Sequence, residues 1–138
     1  MIINGNKFVD HRGELHSFNE FDLSEIKRMY TVFHPDTNTI RAWQGHKIER
    51  RWFYCVKGSF EVRTIELDCM ENPSIDLDVK KTILEEKTPM ILKIQPGFVN
   101  GFRALEKNST LISFSDYKFG ENHDDEIRFD VDKWIRWH

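Results

Sequence analysis

The sequence predicts an all-β fold, either a sandwich or a barrel, and three observations support this. Aromatic residues make up 13% of the 138 residues and include 11 phenylalanines, and aromatic side chains are enriched in strands. Most of them lie in short segments that alternate between apolar and polar positions and are bounded by turn residues. Helix is predicted only as short pieces, at 23–27 and around 130–134.

The first predicted strands are separated by polar turns. A strand at 14–18 follows the turn Asp10-His11-Arg12-Gly13. The β-rich run at 28–34 is closed by Pro35-Asp36-Thr37-Asn38, and residues of these types favour turns. The chain resumes as strand at 40–43.

The middle of the chain carries the clearest predicted hairpin. The segment 51–56 runs into Lys57-Gly58, a candidate two-residue turn, and 59–67 returns with period-2 alternation. The polar, acidic stretch 68–80 is predicted to be a loop. Strands at 89–94, 100–105 and 110–115 complete one domain that spans residues 1–138.

The charge balance and the cysteines restrict the classes of partner. The chain has 20 basic and 23 acidic residues, and the two signs are mixed along the sequence. It therefore has no overall positive electrostatic field that would attract nucleic acid or an anionic membrane. Its longest apolar run is far shorter than the roughly 18 residues that indicate a membrane-spanning helix. Two cysteines and an N-terminus without an apolar signal region favour a cytoplasmic, reduced protein, with Cys55 buried in a strand.

Two segments carry the most specific signal. They are Arg41-Ala42-Trp43-Gln44-Gly45-His46, which precedes a strand ending at Gly58, and Pro96-Gly97-Phe98-Val99-Asn100-Gly101-Phe102. Together they resemble the paired motifs of the cupins, which implies a cupin-type double-stranded jelly-roll β-barrel with a few short helical turns. The positions of a cupin's metal ligands fall on Gln44, His46, Arg51 and Asn100. A guanidinium and two amides make a poor transition-metal site, so we predict no metal and no cofactor.

Further motifs resemble those of the metal-free nucleotide-sugar branch of this family. Asp10-His11-Arg12-Gly13 is similar to the Asp-x-Arg-Gly of dTDP-4-dehydrorhamnose 3,5-epimerases, and Arg28-Met29-Tyr30 to the corresponding strand of 3,4-ketoisomerases. Two later segments also resemble motifs of the epimerases and follow in the same order along the chain. They are Asp116-Tyr117 and the tail Ile135-Arg136-Trp137-His138. The resemblance implies an epimerase or ketoisomerase that acts on a nucleotide-linked, dTDP-type 4-keto-6-deoxyhexose in deoxysugar supply for surface polysaccharide.

The resemblance also implies roles for particular residues. The family's base falls on Gln44, which cannot take up a proton at neutral pH, and its acid falls near Ile112. His46 lies two residues after Gln44 and shares its strand face, so it is the candidate base. Arg51 takes the place of a lysine beside the sugar carbonyl and is suited to stabilise an enolate. Tyr30 is the candidate proton donor.

A second group of residues is predicted to bind the substrate. Arg41 matches the motif position of a diphosphate ligand, a role that suits a planar guanidinium. The other predicted substrate-binding residues are Gln44, Asn100, Tyr54, Tyr117 and Arg12.

Purely structural explanations compete with these roles. His46 is equally well explained as a satisfied core histidine, and a strand tyrosine is more often explained by packing. For Arg41 the alternative is a solvated edge charge, although its match to the motif position favours the ligand role. Glu49-Arg50-Arg51 and Asp124-Asp125-Glu126 have the pattern of solvated charge runs, although Arg51 falls on the inward register of its strand. Three hypotheses therefore stay open: an enzyme, a nucleotide-sugar-binding module without catalysis, and a sugar-binding or regulatory cupin unrelated to nucleotides.

A homodimer is predicted from the open edges of a small jelly roll. Such edges need covering, and the apolar, β-prone segment 1–8 is a candidate to add to a neighbour's sheet.

Overall fold

A computed structural model describes all residues from 1 to 138 and is almost entirely β-structure. The single helical element is a 3-10 turn at Leu23–Glu25. The twelve strands are β1 (Ile2–Asn4), β2 (Asn6–Asp10), β3 (Gly13–Ser17), β4 (Arg28–His34), β5 (Ile40–His46), β6 (Arg51–Lys57), β7 (Ser59–Glu66), β8 (Lys80–Glu85), β9 (Met90–Ile94), β10 (Phe98–Ala104), β11 (Ser109–Ser115) and β12 (Glu126–Arg128).

Two five-stranded antiparallel sheets form the body of the fold. The first has the order β1-β9-β6-β11-β4 and the second the order β12-β5-β10-β7-β8. Strands β2 and β3 form a separate two-stranded ribbon. From β4 to β11 every connection except β7 to β8 crosses from one sheet to the other. This is the jelly-roll arrangement that the motifs implied.

The hydrophobic core lies between the two sheets. Its members come from both of them and include Phe53, Phe60, Phe102 and Leu111. A second apolar cluster covers the outer face of the second sheet, where Trp43 packs against Trp137 of the C-terminal segment with ring centroids 5.4 Å apart. The two clusters bury the second sheet on both faces.

The predicted hairpin at Lys57-Gly58 is wrong, although both of its strands exist. β6 pairs with β9 and β11, whereas β7 pairs with β8 and β10. Gly58 stands alone between the strands with φ of 75°, and a Cβ there would lie 2.0 Å from Oγ of Ser109. One residue is too short for the favoured two-residue hairpin turn. The chain therefore turns a tight corner between sheets.

Three other expectations need correction. β1 pairs with β9 of the same chain, and β2 pairs with β3, so the segment 1–8 is already engaged within its own subunit. The segment 130–134 forms a turn, closed by a hydrogen bond from Lys133 N to the carbonyl of Asp130. Strands β8 and β12 were not predicted. No helix of the protein has the length and apolar character needed to cross a membrane.

Candidate active site

A cavity of about 470 Å³ opens between the two sheets. Three guanidinium groups border it, those of Arg41, Arg51 and Arg128, and no carboxylate does. The rest of the lining mixes apolar and neutral polar side chains: Tyr30, Val32, Ile40, Ala42, Gln44, Phe53, Asn100, Phe102, Leu111 and Ser113. The cavity is therefore suited to a ligand that is anionic at one part and polar at another.

A bulge in β5 brings the first motif to this cavity. Residues three apart on a regular strand point to opposite faces, yet Arg41 and Gln44 both line the cavity. On the neighbouring strand β10, Asn100 pairs with Gln44 and Phe102 pairs with Arg41. Two residues of β5 but only one of β10 lie between these pairs, so β5 has one extra residue there. The extra residue re-aims the strand, which puts both side chains beside the ligand space.

The two amides that replace histidines in the motifs have different surroundings. Asn100 is buried, and its Nδ2 donates to the backbone carbonyl of Gln44 at 3.0 Å. The Asn100 amide therefore ties β10 to β5 and keeps its side-chain oxygen for other partners. The side chain of Gln44 makes no hydrogen bond within the protein and lines the cavity.

His46 lies next to the cavity and is held by two buried acids. Its Nδ1 is 3.1 Å from Oδ2 of Asp125, and its Nε2 is 3.6 Å from Oε2 of Glu49. It borders an adjoining cavity of about 270 Å³ that has Arg51 in common with the first. A buried carboxylate at Nδ1 fixes the orientation of the imidazole ring.

The acids around His46 correct two sequence interpretations. Asp125 is 5% exposed and Glu49 2% exposed, so neither belongs to a solvated charge run. Asp125 accepts hydrogen bonds from the backbone amides of Ile48 at 2.6 Å and Glu49 at 3.1 Å, and from Asn122 at 3.1 Å. This carboxylate therefore organises the turn after β5 as well as the histidine.

Arg51 has the inward position that the sequence predicted. Its Nε donates to Glu49, and its guanidinium lies 5.1 Å from the ring centroid of Tyr30. Burial, and then the nearby charge of Arg28, lowers the pKa of Arg51 to about 10, so it stays cationic at neutral pH. The Tyr30 ring, 5.7 Å from the Arg28 guanidinium, lies between two cations. Its hydroxyl makes no hydrogen bond within the protein.

The donor set does not fit the metal that many cupins hold. His46, Glu49 and Asp125 each place a ligand atom within 4.8 Å of the others, but these atoms already have partners. Glu49 accepts from Arg51, Arg28 and Asn122. Two guanidiniums beside the same carboxylate oppose a divalent cation, so these residues do not suit a metal.

Not every residue that was predicted to bind the substrate borders the cavity. Tyr54 packs its ring edge against Phe18 at 5.2 Å and borders a different surface depression, because alternation along β6 turns it away from Arg51. Tyr117 follows β11 and is absent from the lining. Arg12 lies in the turn of the β2-β3 ribbon, paired with Asp10 at 2.6 Å, and the single chain does not bring it to the cavity.

Sequence reasoning missed Arg128, which enters the site because β12 pairs with β5 opposite Gln44. It gave no role to Ser113, the neighbour of the predicted acid position at Ile112, which borders the cavity because β11 places it opposite Tyr30. The Ser113 hydroxyl is buried without a hydrogen-bond partner. The alternation Glu126-Ile127-Arg128 was the available signal for β12, but only three residues carry it.

The fold and the site define a jelly-roll protein of the cupin class with a cationic ligand cavity. The family model described as FdtA, WxcM-like, C-terminal matches residues 1–136, so the chain belongs to this family. No curated protein matches it significantly in sequence.

Solved structures share its fold at low sequence identity. A 3,4-ketoisomerase from Helicobacter canadensis is 22% identical over 94% of this chain and 90% of that one, with a TM-score of 0.71. A variant of the 3,4-ketoisomerase QdtA from Thermoanaerobacterium thermosaccharolyticum was solved in complex with TDP-4-keto-6-deoxyglucose. It is 22% identical over 94% of this chain and 86% of that one, with a TM-score of 0.72. The RmlC epimerase of Mycobacterium tuberculosis is 16% identical over 94% of this chain and 68% of that one, with a TM-score of 0.76. The structures that this protein resembles are sugar-nucleotide isomerases and epimerases.

Proposed function

We propose that this protein is a ketoisomerase or epimerase of a dTDP-linked 4-keto-6-deoxyhexose, acting in the cytoplasm in deoxysugar biosynthesis. The observation that carries the proposal is a cavity bordered by three guanidiniums and no carboxylate, adjoining a buried histidine that is paired with an aspartate. The cations suit a nucleoside diphosphate. The histidine suits removal of an acidic proton.

The proposed reaction is a metal-independent proton transfer. His46 takes the proton from the carbon alpha to the C4 ketone, and the electron pair of that C–H bond forms an enolate. Arg51 stabilises the negative charge that develops on the ketone oxygen. In an epimerisation, Tyr30, beside Arg51, supplies a proton to the opposite face of the same carbon. In a ketoisomerisation, the proton of the neighbouring hydroxyl passes to the enolate oxygen and Tyr30 supplies a proton to the former ketone carbon, so that the ketone moves to the neighbouring carbon. The proton held by His46 then returns to Tyr30 through solvent.

Substrate binding is assigned to the residues that border the cavity. Arg41 and Arg128 have the charge and the free surface for the diphosphate, and Gln44 and Asn100 offer amides to the sugar. The sugar lies beside Arg51, because Arg51 is the charged residue that both cavities share.

A second candidate function, binding without catalysis, has a specific observation in its favour. Both ring nitrogens of His46 face carboxylates, and Gln44 at the family's base position cannot accept a proton. A pocket of this kind would hold the nucleotide sugar and leave it unchanged.

Two variants test these functions: Arg41→Ala tests the ligand site that both require, and His46→Asn tests the catalysis that only the first requires. Arg41→Ala should weaken binding of thymidine diphosphate by about 1.5–3 kcal/mol, or roughly ten- to 150-fold in Kd by calorimetry. Arg136→Ala, an exposed arginine outside the cavity lining, is the matched control and should bind normally. His46→Asn should lower turnover of dTDP-4-keto-6-deoxyglucose at least about a hundredfold with little change in Kd. Normal dTDP affinity in Arg41→Ala would refute the ligand assignment.

We also propose that the protein is a two-fold dimer. β4 lies at an edge of the first sheet and exposes Met29 and Phe33, and the β2-β3 ribbon exposes Phe8, Val9 and Leu15. Apolar side chains on an edge strand favour association with another copy. Light scattering at micromolar concentration should give twice the mass of the chain, and a monomer would contradict the proposal.

A further inference from the structure

The cavity residue Arg41 has a single hydrogen-bond partner in the protein. Its Nε donates to Nε2 of His34 at 3.2 Å. Nη1 and Nη2 of the same guanidinium make no hydrogen bond within the chain, and Arg41 borders the cavity. One edge of the guanidinium is therefore fixed by His34 while the other is available to a ligand.

His34 is an unusual choice for its position. It is 1% exposed at the end of β4, with its ring stacked on Phe102 at 5.7 Å and in edge contact with Phe60 at 5.5 Å. When Nε2 accepts a hydrogen bond, the proton of the neutral ring is on Nδ1. That Nδ1 is buried without a partner.

Packing alone does not explain this histidine. A buried donor without an acceptor destabilises the folded state, whereas a phenylalanine would fill the same aromatic space without that loss. The histidine differs from phenylalanine chiefly in its acceptor nitrogen Nε2, to which Arg41 donates a hydrogen bond.

Burial and the charge of Arg41 together outweigh the opposing charge of Asp36 and keep the His34 ring neutral. Burial, and then the charge of Arg41, lowers the pKa of His34. The nearest carboxylate on the following turn is that of Asp36, which accepts from the backbone amides of Asn38 and Thr39 and forms no ion pair with Arg41. Nε2 therefore remains an acceptor at neutral pH.

We propose that His34 is a positioning residue that fixes the Nε edge of Arg41 and so directs its two Nη groups at an anionic ligand. The identity of that ligand as a nucleoside diphosphate rests on the proposed function, whereas the orientation of Arg41 does not. His34 itself touches no ligand in this arrangement.

The orientation is tested on the protein without ligand. Nitrogen NMR of the histidine ring should show the Nδ1-protonated tautomer for His34. The Nε–H proton of Arg41 should exchange slowly with solvent, and should lose that protection in His34→Phe. The Nε2-protonated tautomer, or equal exchange of the Arg41 proton in both proteins, would overturn the positioning role.

The consequence for binding is tested with thymidine diphosphate in a double-mutant cycle. His34→Phe should raise the Kd about three- to tenfold, because the guanidinium must be ordered on binding, while the urea midpoint stays equal or rises. His34→Gln, whose amide oxygen can accept from Nε, should return the Kd to within about twofold of wild type. In an Arg41→Ala background His34→Phe should change the Kd less than about 1.5-fold.

The outcomes separate the two claims. The same loss of affinity from His34→Phe with and without Arg41 would show that the histidine acts through general structure, and would overturn the inference. Equal dTDP affinity of wild type and Arg41→Ala, together with a protected Nε–H proton, would instead refute the diphosphate assignment and uphold the positioning of Arg41.

Discussion

Removal of the Asp125 carboxylate should destabilise the protein far more than its place in an acidic run suggests. Asp125 is buried and accepts from the backbone amides of Ile48 and Glu49 at 2.6 and 3.1 Å. Asp125→Ala leaves both amides without this acceptor. The bond from Glu49 is buried and that from Ile48 only part-buried, and an unsatisfied buried donor costs about 1–3 kcal/mol. The free energy of unfolding should therefore fall by at least about 1–3 kcal/mol, a sizeable part of the roughly 5–15 kcal/mol of a typical domain.

The neighbouring residue provides the control. Asp124 is exposed, and Asp124→Ala should change stability by less than about 0.5 kcal/mol. Urea unfolding of both variants, fitted with a common m-value, measures the difference. Asp125→Asn should lie between wild type and Asp125→Ala, because one side-chain oxygen remains to accept. Equal midpoints for the Asp124 and Asp125 alanine variants would refute the assigned role of this carboxylate.

Two further predictions concern the cysteines and the glycine corner. Burial raises the pKa of Cys55 to about 12, so iodoacetamide at about pH 8 should modify only the exposed Cys69, as read by peptide mass spectrometry; rapid labelling of native Cys55 would contradict its burial. Gly58→Ala should lower stability by at least about 2 kcal/mol, since the new Cβ meets Ser109. Gly13 also has a positive φ, so both alanine variants carry backbone strain, but Gly13 has open space around it and Gly13→Ala should lose less by thermal unfolding. The reverse order would count against the crowded corner.

The strands were predictable from the sequence, but their partners were not. The β-rich composition of 28–34 marked β4 at its observed bounds, and alternation of residue types marked β7 to within one residue, because both signals lie within the strand's own sequence. Whether β6 pairs with β7 depends on the corner at Gly58 and on competing strands far along the chain. Lys80–Glu85 was missed because its charged residues face solvent at the edge of the sheet.

The candidate site was predictable where a motif carried it. Arg41, Gln44, Arg51 and Asn100 were all named from the sequence, and all four border one cavity. Asp125 could not be recognised in this way, since an acidic triplet has the composition of a solvated turn. Its carboxylate is buried against the turn after β5, where it accepts hydrogen bonds from two backbone amides.

The buried contacts of His34 are likewise a product of tertiary structure. Nothing in the local sequence distinguishes a strand-terminal histidine that accepts from an arginine seven residues later. The turn at Asp36, between β4 and β5, brings the two side chains within hydrogen-bond distance.

The central claim is that His46 removes a proton alpha to the ketone of a nucleotide-linked 4-keto sugar. Its most direct test follows dTDP-4-keto-6-deoxyglucose by proton NMR in deuterated buffer. The wild-type protein should exchange a proton alpha to the ketone for deuterium, and His46→Asn should do so at least about a hundredfold more slowly with unchanged affinity for dTDP. Undiminished exchange in His46→Asn would contradict the assignment of the base, and no exchange by wild-type protein that binds the sugar nucleotide would establish binding without catalysis.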